Sequence, residues 1–540
     1  MKDQTHTAPS QPAGAADPPS GGALQSAWRR VEHGLDAVFG ERLNPLRHLG
    51  ALGFMLFWLL AISGIYLYAV IDTSAQGAYA SIDQLSRQQW FLGGWLRSLH
   101  RYAADAFIVV IVAHLLREWL FGRYHGFRHF SWLTGVPLLG FALISAVGGF
   151  WLNWDQLGQF SALATAELLD WLPLFASPFT RNFISSAMVS DRLFSLFVFV
   201  HLGVPLLLVF GLWFHIQRIS RADVFPPRAL ALGSFIALLV LAFVQPVMSH
   251  GPADLGTVPE VLAYDWLLLA IHPLMYASSA GTVWALLGAA TVLLFALPFV
   301  PRRTQPLPIA VVDPANCNGC RRCFADCPYA AVTMVPHPNG RIGKEMATVD
   351  ADLCASCGIC VGACPSSTPF RSVAELVTGI DMPSAPITAV RQQLQTRLAA
   401  LKGPERIVVF GCDRGAQVGT LASSDVAPIS LMCIGALPPS FVEYALRDGA
   451  TGVMVSGCRA GGCEFRLGQQ WAEERLAGTR EPHLRASVPR ERLATAWVDI
   501  GDEAALRLAL DQFRMRLKRL DHGSAQDHAI DALASSPSNG

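Results

Sequence analysis

The chain has 540 residues, of which 52% are hydrophobic and 15% are charged, and its formal net charge is zero. This length predicts several domains rather than one. A neutral chain implies no polyanionic partner, so composition and charge exclude a strongly basic nucleic-acid-binding protein.

The first 24 residues are rich in Ala, Pro and Gly and lack the apolar core of a signal peptide, which predicts disorder. Six long apolar segments follow, at 49–71, 94–121, 130–152, 193–216, 229–249 and 276–300. Each reaches the length of about 20 residues that a membrane-spanning helix needs. Residues 25–303 are therefore predicted to form an all-α transmembrane bundle of about six spans.

Arginine is distributed unevenly between the connections that join these segments. The connections on one side hold 12 arginines, and the alternate connections hold 5. The arginine-rich connections are 25–48, 117–129, 217–228 and 301–303. Because positive charge marks the cytoplasmic side, the N-terminus and everything after residue 300 are predicted to be cytoplasmic, in a multi-pass protein of the inner (cytoplasmic) membrane.

Two apolar segments each carry a pair of histidines fourteen residues apart, His100 with His114 and His201 with His215. Fourteen helical residues rise about 21 Å and return to within about 40° of the starting direction, so each pair shares one helix face at two depths. Two such helices can ligate two stacked haems, His100 with His201 and His114 with His215. A single membrane histidine more often hydrogen-bonds a neighbouring helix, but two pairs at one spacing favour bis-histidine haems for electron transfer.

Glycines in two other apolar segments repeat the fourteen-residue spacing. A glycine lets a flat macrocycle lie close to a helix, although small residues also serve ordinary helix packing. Arg97 and Arg117 each stand three positions from a histidine, where they either pair with haem propionates or anchor the helix at the membrane interface. The glycines are Gly50, Gly64, Gly135 and Gly149.

Residues 40–300 resemble the cytochrome b subunit of quinol:cytochrome c oxidoreductases, and the resemblance rests on GWLRSLHRY, HLLREWLFGRY and DRLFSLF. It implies that His100 and His201 hold the haem near the outer face, and that the other pair holds the haem near the cytoplasmic face. It also implies an outer quinol site, where the family has a Pro-Glu-Trp-Tyr motif. We align that motif with Tyr264-Asp265-Trp266-Leu267, so Asp265 is either the proton acceptor or a solvated loop residue.

The chain becomes polar after residue 303, and all twelve cysteines lie in this part. Eight of them form two bacterial ferredoxin runs, CNGCRRCFADCP and CASCGICVGACP. In such a run three cysteines bind one 4Fe–4S cluster and the fourth binds the other cluster, which disfavours zinc. The predicted ligand sets are Cys317, Cys320, Cys323 and Cys364 for one cluster, and Cys354, Cys357, Cys360 and Cys327 for the other.

The last four cysteines are Cys412, Cys433, Cys458 and Cys463, and β-branched apolar runs end at the first three. Such runs predict buried parallel strands whose carboxyl ends bring these cysteines to one edge of a sheet. Four convergent thiolates suit a 2Fe–2S cluster, with zinc or unmetallated core cysteines as alternatives. Residues 406–515 also resemble the delta subunit of methyl-viologen-reducing hydrogenase. That resemblance implies a 2Fe–2S relay to a flavoprotein of the heterodisulfide-reductase type.

The predicted architecture is therefore multidomain, and its membrane part carries two b haems. The predicted parts are a disordered N-terminus (1–24), a cytochrome b-like transmembrane domain (25–303), a dicluster ferredoxin-like α+β domain (304–372), a linker (373–403), an α/β parallel-sheet domain (404–521) and a disordered tail (522–540).

These redox centres predict an oxidoreductase subunit that links a cytoplasmic flavoprotein to the quinone pool through the two haems. One alternative is a transmembrane conduit to an extracytoplasmic cytochrome without quinone chemistry. Another is a membrane anchor or redox sensor for a soluble complex. Membrane lipid is an expected partner, a homodimer is implied by the cytochrome b resemblance alone, and no nucleic-acid partner is expected.

Overall fold

The computed structural model describes residues 23–174, 176–184, 188–217, 222–257, 261–300, 308–339, 344–367 and 376–534, with side chains up to residue 520. The chain divides into two compact units. One is Ala27–Pro301, and the other is Arg302–Gly540 together with Met1–Ser26. The disorder predicted for residues 1–22 and 535–540 lies outside the described residues.

The unit of residues 27–301, called the membrane unit below, is built from helices. Four of the described helices are long and apolar enough to cross a membrane: α2, α5, α7 and α10, the last continuing to Phe299. The other two predicted spans form α4, the most polar of the six, and α8, which has only 17 residues. The helices are α1 (Ala23–Phe39), α2 (Leu49–Val70), α3 (Ala78–Arg87), α4 (Trp95–Leu120), α5 (His129–Asn153), α6 (Gln156–Asp170), α7 (Asp191–Gln217), α8 (Arg228–Val244), α9 (Ile271–Ala277) and α10 (Ala280–Ala296).

Large apolar side chains on these helices point away from the interior of the membrane unit. Ile62 is 67% exposed, Phe199 is 71% exposed and Val244 is 74% exposed. A surface this rich in exposed apolar groups is stable against lipid rather than against water. Together with the four apolar spans, it makes the chain a membrane protein.

Inside the membrane unit, α2 packs on α4, and α5 packs on α7. Buried residues from these helices, among them Leu56, Phe107, Ala142 and Leu208, form one core cluster. The two helices that carry the spaced glycines therefore lie against the two helices that carry the spaced histidines.

The unit that contains residues 302–540, called the iron–sulfur unit below, begins with short strands and helices. β1 (Val311–Val312) pairs antiparallel with β4 (Ile380–Asp381), and β2 (Val332–Pro336) pairs antiparallel with β3 (Glu345–Val349). Two one-turn helices, α11 (Arg322–Ala325) and α12 (Ile359–Ala363), lie in the two cysteine runs. This is the α+β domain that the sequence predicts.

A four-stranded parallel sheet follows, in the order β6-β5-β7-β8. Its central strands are buried along their whole length, and their register sets Ile407 opposite both Val426 and Gly452. The sheet confirms the predicted α/β domain. The strands are β5 (Ile407–Cys412), β6 (Val426–Leu431), β7 (Gly452–Gly457) and β8 (Leu493–Trp497), and the helices are α13 (Ile387–Ala400), α14 (Ser440–Arg447), α15 (Gly468–Ala477) and α16 (Glu503–Ala534).

The predicted linker at 373–403 is wrong for the residues that the structure describes. β4 completes a strand pair there, and α13 packs against β6 through four buried side chains. These side chains recur at the spacing of one helix face. This apolar spacing predicts a packed amphipathic helix, although polar residues stand between them. These side chains are Ile387, Val390, Leu394 and Leu398.

The predicted disordered tail also differs from the structure, because α16 continues past His522 as far as Ala534. The chain has several alanines and no proline between these two residues, and alanine is the best helix former.

Candidate redox sites

The four predicted histidine ligands lie on α4 and α7 and form two pairs inside the membrane unit. The ring centroids of His100 and His201 are 6.2 Å apart, and the ring planes are inclined at 69°. His114 and His215, fourteen residues further along their helices, interact electrostatically with each other. The structure therefore brings together the two pairs that the sequence predicts.

Each of the four spaced glycines faces one of these histidines. A Cβ atom at Gly64 would lie 3.2 Å from Cε1 of His100, and one at Gly149 would lie 3.0 Å from Cε1 of His201. We predicted that the glycines leave room for a flat macrocycle beside the helix. In the structure, an imidazole ring occupies the space beside each of them. The other pairs are Gly50 with His114 (3.5 Å) and Gly135 with His215 (3.2 Å).

Hydrogen bonds to α2 and α5, the two helices that carry the glycines, indicate which ring nitrogen carries the proton. Nδ1 of His201 lies 2.9 Å from the carbonyl oxygen of Ser145, which can only accept a hydrogen bond. Nδ1 of His100 lies 2.9 Å from Oγ of Ser63. That hydroxyl already donates to the carbonyl of Leu59 at 2.7 Å, so it accepts from the ring.

The ring of His215 is held in the same way. Its Nδ1 lies 3.1 Å from Oγ1 of Thr134, which donates to the carbonyl of Phe130 at 2.9 Å. In three of the four rings Nδ1 therefore carries the proton, and the lone pair of Nε2 is free for a metal.

Arg97 and Arg117 lie in different electrostatic surroundings. The guanidinium of Arg97 donates to three uncharged oxygens, in Ser86 (2.5 Å), Ser249 (2.9 Å) and Asn153 (3.1 Å). These bonds hold the group in place, and the carboxylates of Asp155 and Asp83 act on its charge.

Arg117 is buried and already paired with a carboxylate. Its Nε lies 2.9 Å from Oε1 of Glu32, a residue of α1 that is only 3% exposed. Trp28 donates to the same oxygen at 2.9 Å. The sequence analysis missed Glu32, because nothing local in the sequence connects residues 32 and 117.

Asp265 is neither a free proton acceptor nor a solvated loop residue. Its carboxylate forms an ion pair with Arg101 and accepts the backbone N–H of Leu268 at 2.8 Å. Arg101 also pairs with Asp105 one helical turn away. The aspartate therefore ties its loop to α4.

One further histidine, His272 on α9, was not predicted. It is fully buried, Nε2 lies 3.0 Å from Oγ1 of Thr165, and Nδ1 has no hydrogen-bond partner among the described residues. Tyr276, one turn further on, hydrogen-bonds Glu167 of α6. The signal available in the sequence was the motif IHPLMY, a histidine between apolar residues.

Two cavities separate the eight ferredoxin-type cysteines into the two predicted sets. Burial, together with neighbouring thiols, raises the pKa of Cys323 to about 12, and it raises the pKa of Cys360 as well. Thiolates at these positions need the positive charge of a metal. The first cavity is lined by Cys317, Cys320, Cys323 and Cys364, and the second by Cys327, Cys354, Cys357 and Cys360.

The remaining four thiols meet at the carboxyl edge of the parallel sheet, as predicted from their strands. Sγ atoms of Cys412 and Cys458 are 3.9 Å apart. Cys412 and Cys463 each hydrogen-bond both Cys433 and Cys458, and all four are at most 7% exposed. In the part of the chain that the structure describes, no three His, Cys, Asp or Glu side chains are grouped closely enough to hold one metal ion.

Paired histidines in a membrane bundle and three groups of cysteines on one chain define a membrane-bound electron-transfer protein of the oxidoreductase type. Residues 36–222 match the family model "Cytochrome b/b6/petB", residues 316–368 match "4Fe-4S dicluster domain", and residues 407–521 match "Methyl-viologen-reducing hydrogenase, delta subunit". The chain thus joins a cytochrome b segment, which implies haem, to a dicluster segment, which implies iron–sulfur clusters, and to a hydrogenase delta-subunit segment.

The chain is also similar to individual proteins. The cytochrome b6 of Heliobacterium mobile is 27% identical over 174 residues, which are 32% of this chain and 81% of that protein. A solved structure titled "Hyperthermophilic respiratory Complex III" is similar with a TM-score of 0.37 and 20% identity, over 47% of this chain and 75% of the other.

Proposed function

We propose that this chain couples cytoplasmic iron–sulfur and flavoprotein redox chemistry to the quinone pool through two b haems. The observation that carries the proposal is the pairing of His100 with His201 at 6.2 Å between ring centroids. With metal–nitrogen bonds of about 2 Å and about 1.2 Å from each nitrogen to its ring centroid, two imidazoles on opposite sides of one metal have centroids about 6.4 Å apart. The observed separation supports one metal between these rings.

Four residues would hold the two haems, which supply one-electron transfer when bound. His100 and His201 ligate the outer haem, and His114 and His215 ligate the inner haem. The glycines opposite these rings and the hydrogen bonds to Nδ1 keep each Nε2 directed at the metal. Arg97 binds a propionate of the outer haem, whereas Arg117 is neutralised by Glu32 and keeps α1 attached to α4.

The three groups of cysteines would form the soluble part of the same relay. We assign a 4Fe–4S cluster to each ferredoxin-type set and a 2Fe–2S cluster to the four thiols at the sheet edge. The four thiols that meet at the sheet edge supply the four thiolate ligands that a 2Fe–2S cluster takes. The arginine bias supports a cytoplasmic position for these clusters, with the flavoprotein as their neighbour.

Quinone is the proposed membrane-soluble partner, and its site is the least supported part of the relay. Asp265 is held by Arg101, so accepting a proton from quinol would first require that this ion pair open. His272 carries a buried Nδ1 with no hydrogen-bond partner among the described residues, and it is the better candidate for the proton acceptor. Because Asp265 is held in an ion pair with Arg101, the structure also favours the second function, a conduit to an outer cytochrome without quinone chemistry.

The experiment is a titration of the purified, metal-replete protein with a soluble quinol analogue while the haem absorption bands are recorded. We expect quinol to reduce the haems, and His272→Gln to slow that reduction at least about tenfold, which is a typical loss for a missing acid–base group. Asp265→Asn is the second variant. The matched control is Asp254→Asn, which removes an exposed carboxylate of the same loop.

Each outcome of the titration decides between the two functions. Reduction that is lost in either variant and kept in the control supports quinone coupling and assigns its outer proton acceptor. Haems that ignore quinol, yet are reduced by a low-potential flavoprotein that donates electrons to the iron–sulfur unit, contradict quinone coupling and support the conduit.

A further inference from the structure

The ferredoxin-like and α/β domains pack closely within the iron–sulfur unit, and glycine makes the contact possible. A Cβ atom at Gly362 on α12 would lie 2.2 Å from the carbonyl oxygen of Gly435, in the turn that follows Cys433. One at Gly358 would lie 3.0 Å from Cβ of Ala436. The backbone of one cysteine site therefore touches the backbone of another.

The segment between two cysteines of one ferredoxin-type set makes this contact. A Cβ atom at Gly468 would lie 2.2 Å from Sγ of Cys433, 3.6 Å from Sγ of Cys463 and 3.4 Å from Cδ1 of Ile359. Ile359 stands between Cys357 and Cys360 in the chain. The set of Cys327, Cys354, Cys357 and Cys360 is therefore adjacent to the sheet-edge site.

One buried cation bridges the two sites. Arg475 on α15 is 1% exposed, and its Nη1 donates to the carbonyl of Gly435 at 2.8 Å. Its Nη2 pairs at 2.6 Å with Oδ2 of Asp326, the residue that precedes Cys327. A single guanidinium thus holds the segment beside Cys433 and the segment beside Cys327.

A second arginine completes the contact around Asp326. Nη1 of Arg480 lies 2.7 Å from Oδ1 of the same carboxylate, and its guanidinium stacks 4.5 Å from the ring of Trp471. Asp326 is 3% exposed, so both of its oxygens are paired with cations from the α/β domain. A buried charge held by two partners fixes one relative position of the two domains.

We propose that Arg475 is a positioning residue that holds the cluster of Cys327, Cys354, Cys357 and Cys360 directly against the sheet-edge cluster, so that electrons pass between these two first. The cluster of Cys317, Cys320, Cys323 and Cys364, whose Cys320 is exposed, is then the far end of the soluble relay. One electron moves in each step, oxidising one cluster as it reduces the other, and no bond is made or broken. The order rests on the proposed cluster assignments and does not depend on quinone.

The test uses the full chain with Arg475→Lys. This variant keeps the positive charge but loses the guanidinium, whose two Nη atoms make the two contacts. Gly362→Ala is an independent variant, because it pushes the two backbones apart without removing a polar group. The matched controls are Arg485→Gln, whose partner Glu443 lies within the α/β domain, and Gly419→Ala, where a Cβ atom meets nothing within 4 Å.

Two readouts are measured, and neither is turnover. Amide hydrogen exchange in α12 should accelerate on the order of 100-fold in both variants, while exchange in β5 and β7 stays unchanged. In dithionite-reduced protein, the magnetic interaction between the 2Fe–2S and 4Fe–4S paramagnetic-resonance signals should weaken, with iron content unchanged. Both controls should behave like the wild type.

Unchanged exchange and unchanged magnetic interaction in Arg475→Lys and Gly362→Ala would overturn the positioning role. Zinc, or the absence of any 2Fe–2S signal in the wild type, would overturn the proposed order of electron transfer. Neither result bears on the quinol titration of the haems, so failure of this proposal is distinguishable from failure of the quinone-linked function.

Discussion

Gly149→Ala is the sharpest test of the proposed haem sites, because the structure supplies both its magnitude and its control. The new methyl group would lie 3.0 Å from Cε1 and 3.4 Å from Nδ1 of His201. Carbon atoms in comfortable contact are about 3.5–4.0 Å apart, so the ring must retreat by roughly 0.5 Å or more. That movement strains the 2.9 Å hydrogen bond from Nδ1 to the carbonyl of Ser145.

The expected cost follows from the role of that hydrogen bond. Losing a partner that orients a metal-bound histidine typically weakens metal binding about 10–100-fold, or roughly 1.4–2.8 kcal/mol. A glycine-to-alanine change inside a helix by itself adds roughly 0.5–1 kcal/mol of stability. Gly140→Ala on the same helix places its methyl group in open space, so it receives this gain alone.

The assay measures haem per chain by the pyridine haemochrome spectrum, and thermal stability of the detergent-solubilised protein. We expect Gly140→Ala to keep both haems and Gly149→Ala to lose the outer one during purification or in competition with apomyoglobin. If Gly149→Ala retained haem as tightly as Gly140→Ala, the assignment of His201 as a ligand held against this glycine would be refuted.

Two further predictions test the cysteines at the sheet edge and the buried ion pair. Cys458→Ser should remove about two iron atoms per chain while the 4Fe–4S signals persist, whereas loss of zinc in elemental analysis would contradict the 2Fe–2S assignment. Glu32→Gln should destabilise the membrane unit by about 1–3 kcal/mol, because it leaves the buried Arg117 with only the more distant carboxylate of Glu118, at 3.7 Å, as counter-charge. Its control, Asp83→Asn, breaks a pair in which Arg87 is 61% exposed and should change the free energy of unfolding by less than about 0.5 kcal/mol. Equal melting temperatures for the two variants would contradict the buried pair.

The sequence predicts well those parts of the fold that depend on the spacing of residues close together in the chain. The cysteine runs repeat a short pattern that a cluster requires, and the histidines recur at a helical interval. The parallel strands were recognisable because β-branched residues fill them, as in the run that ends at Cys412. In each case the information lies within about fifteen residues.

Contacts between distant segments were not predictable in this way. The pairing of Asp265 with Arg101 is one such contact, and no local pattern in the sequence predicts it. In the sequence alone, Arg475 is one polar residue of an ordinary helix. Only the folded structure shows that Asp326 lies beside it. The linker prediction failed differently, since the apolar period of α13 was present in the sequence and was overlooked.

The contact between Glu32 and Arg117 has a consequence for biosynthesis, because the partners are 85 residues apart in the chain. At about 5–20 residues per second, a ribosome makes Arg117 roughly 4–17 s after Glu32. During that interval Glu32 lacks its partner, whereas Asp36 of the same helix pairs at 2.9 Å with Arg47, only 11 residues further along the chain. Helix α1 can therefore be held by the segment around residue 47 first, and be joined to α4 only when Arg117 has been made.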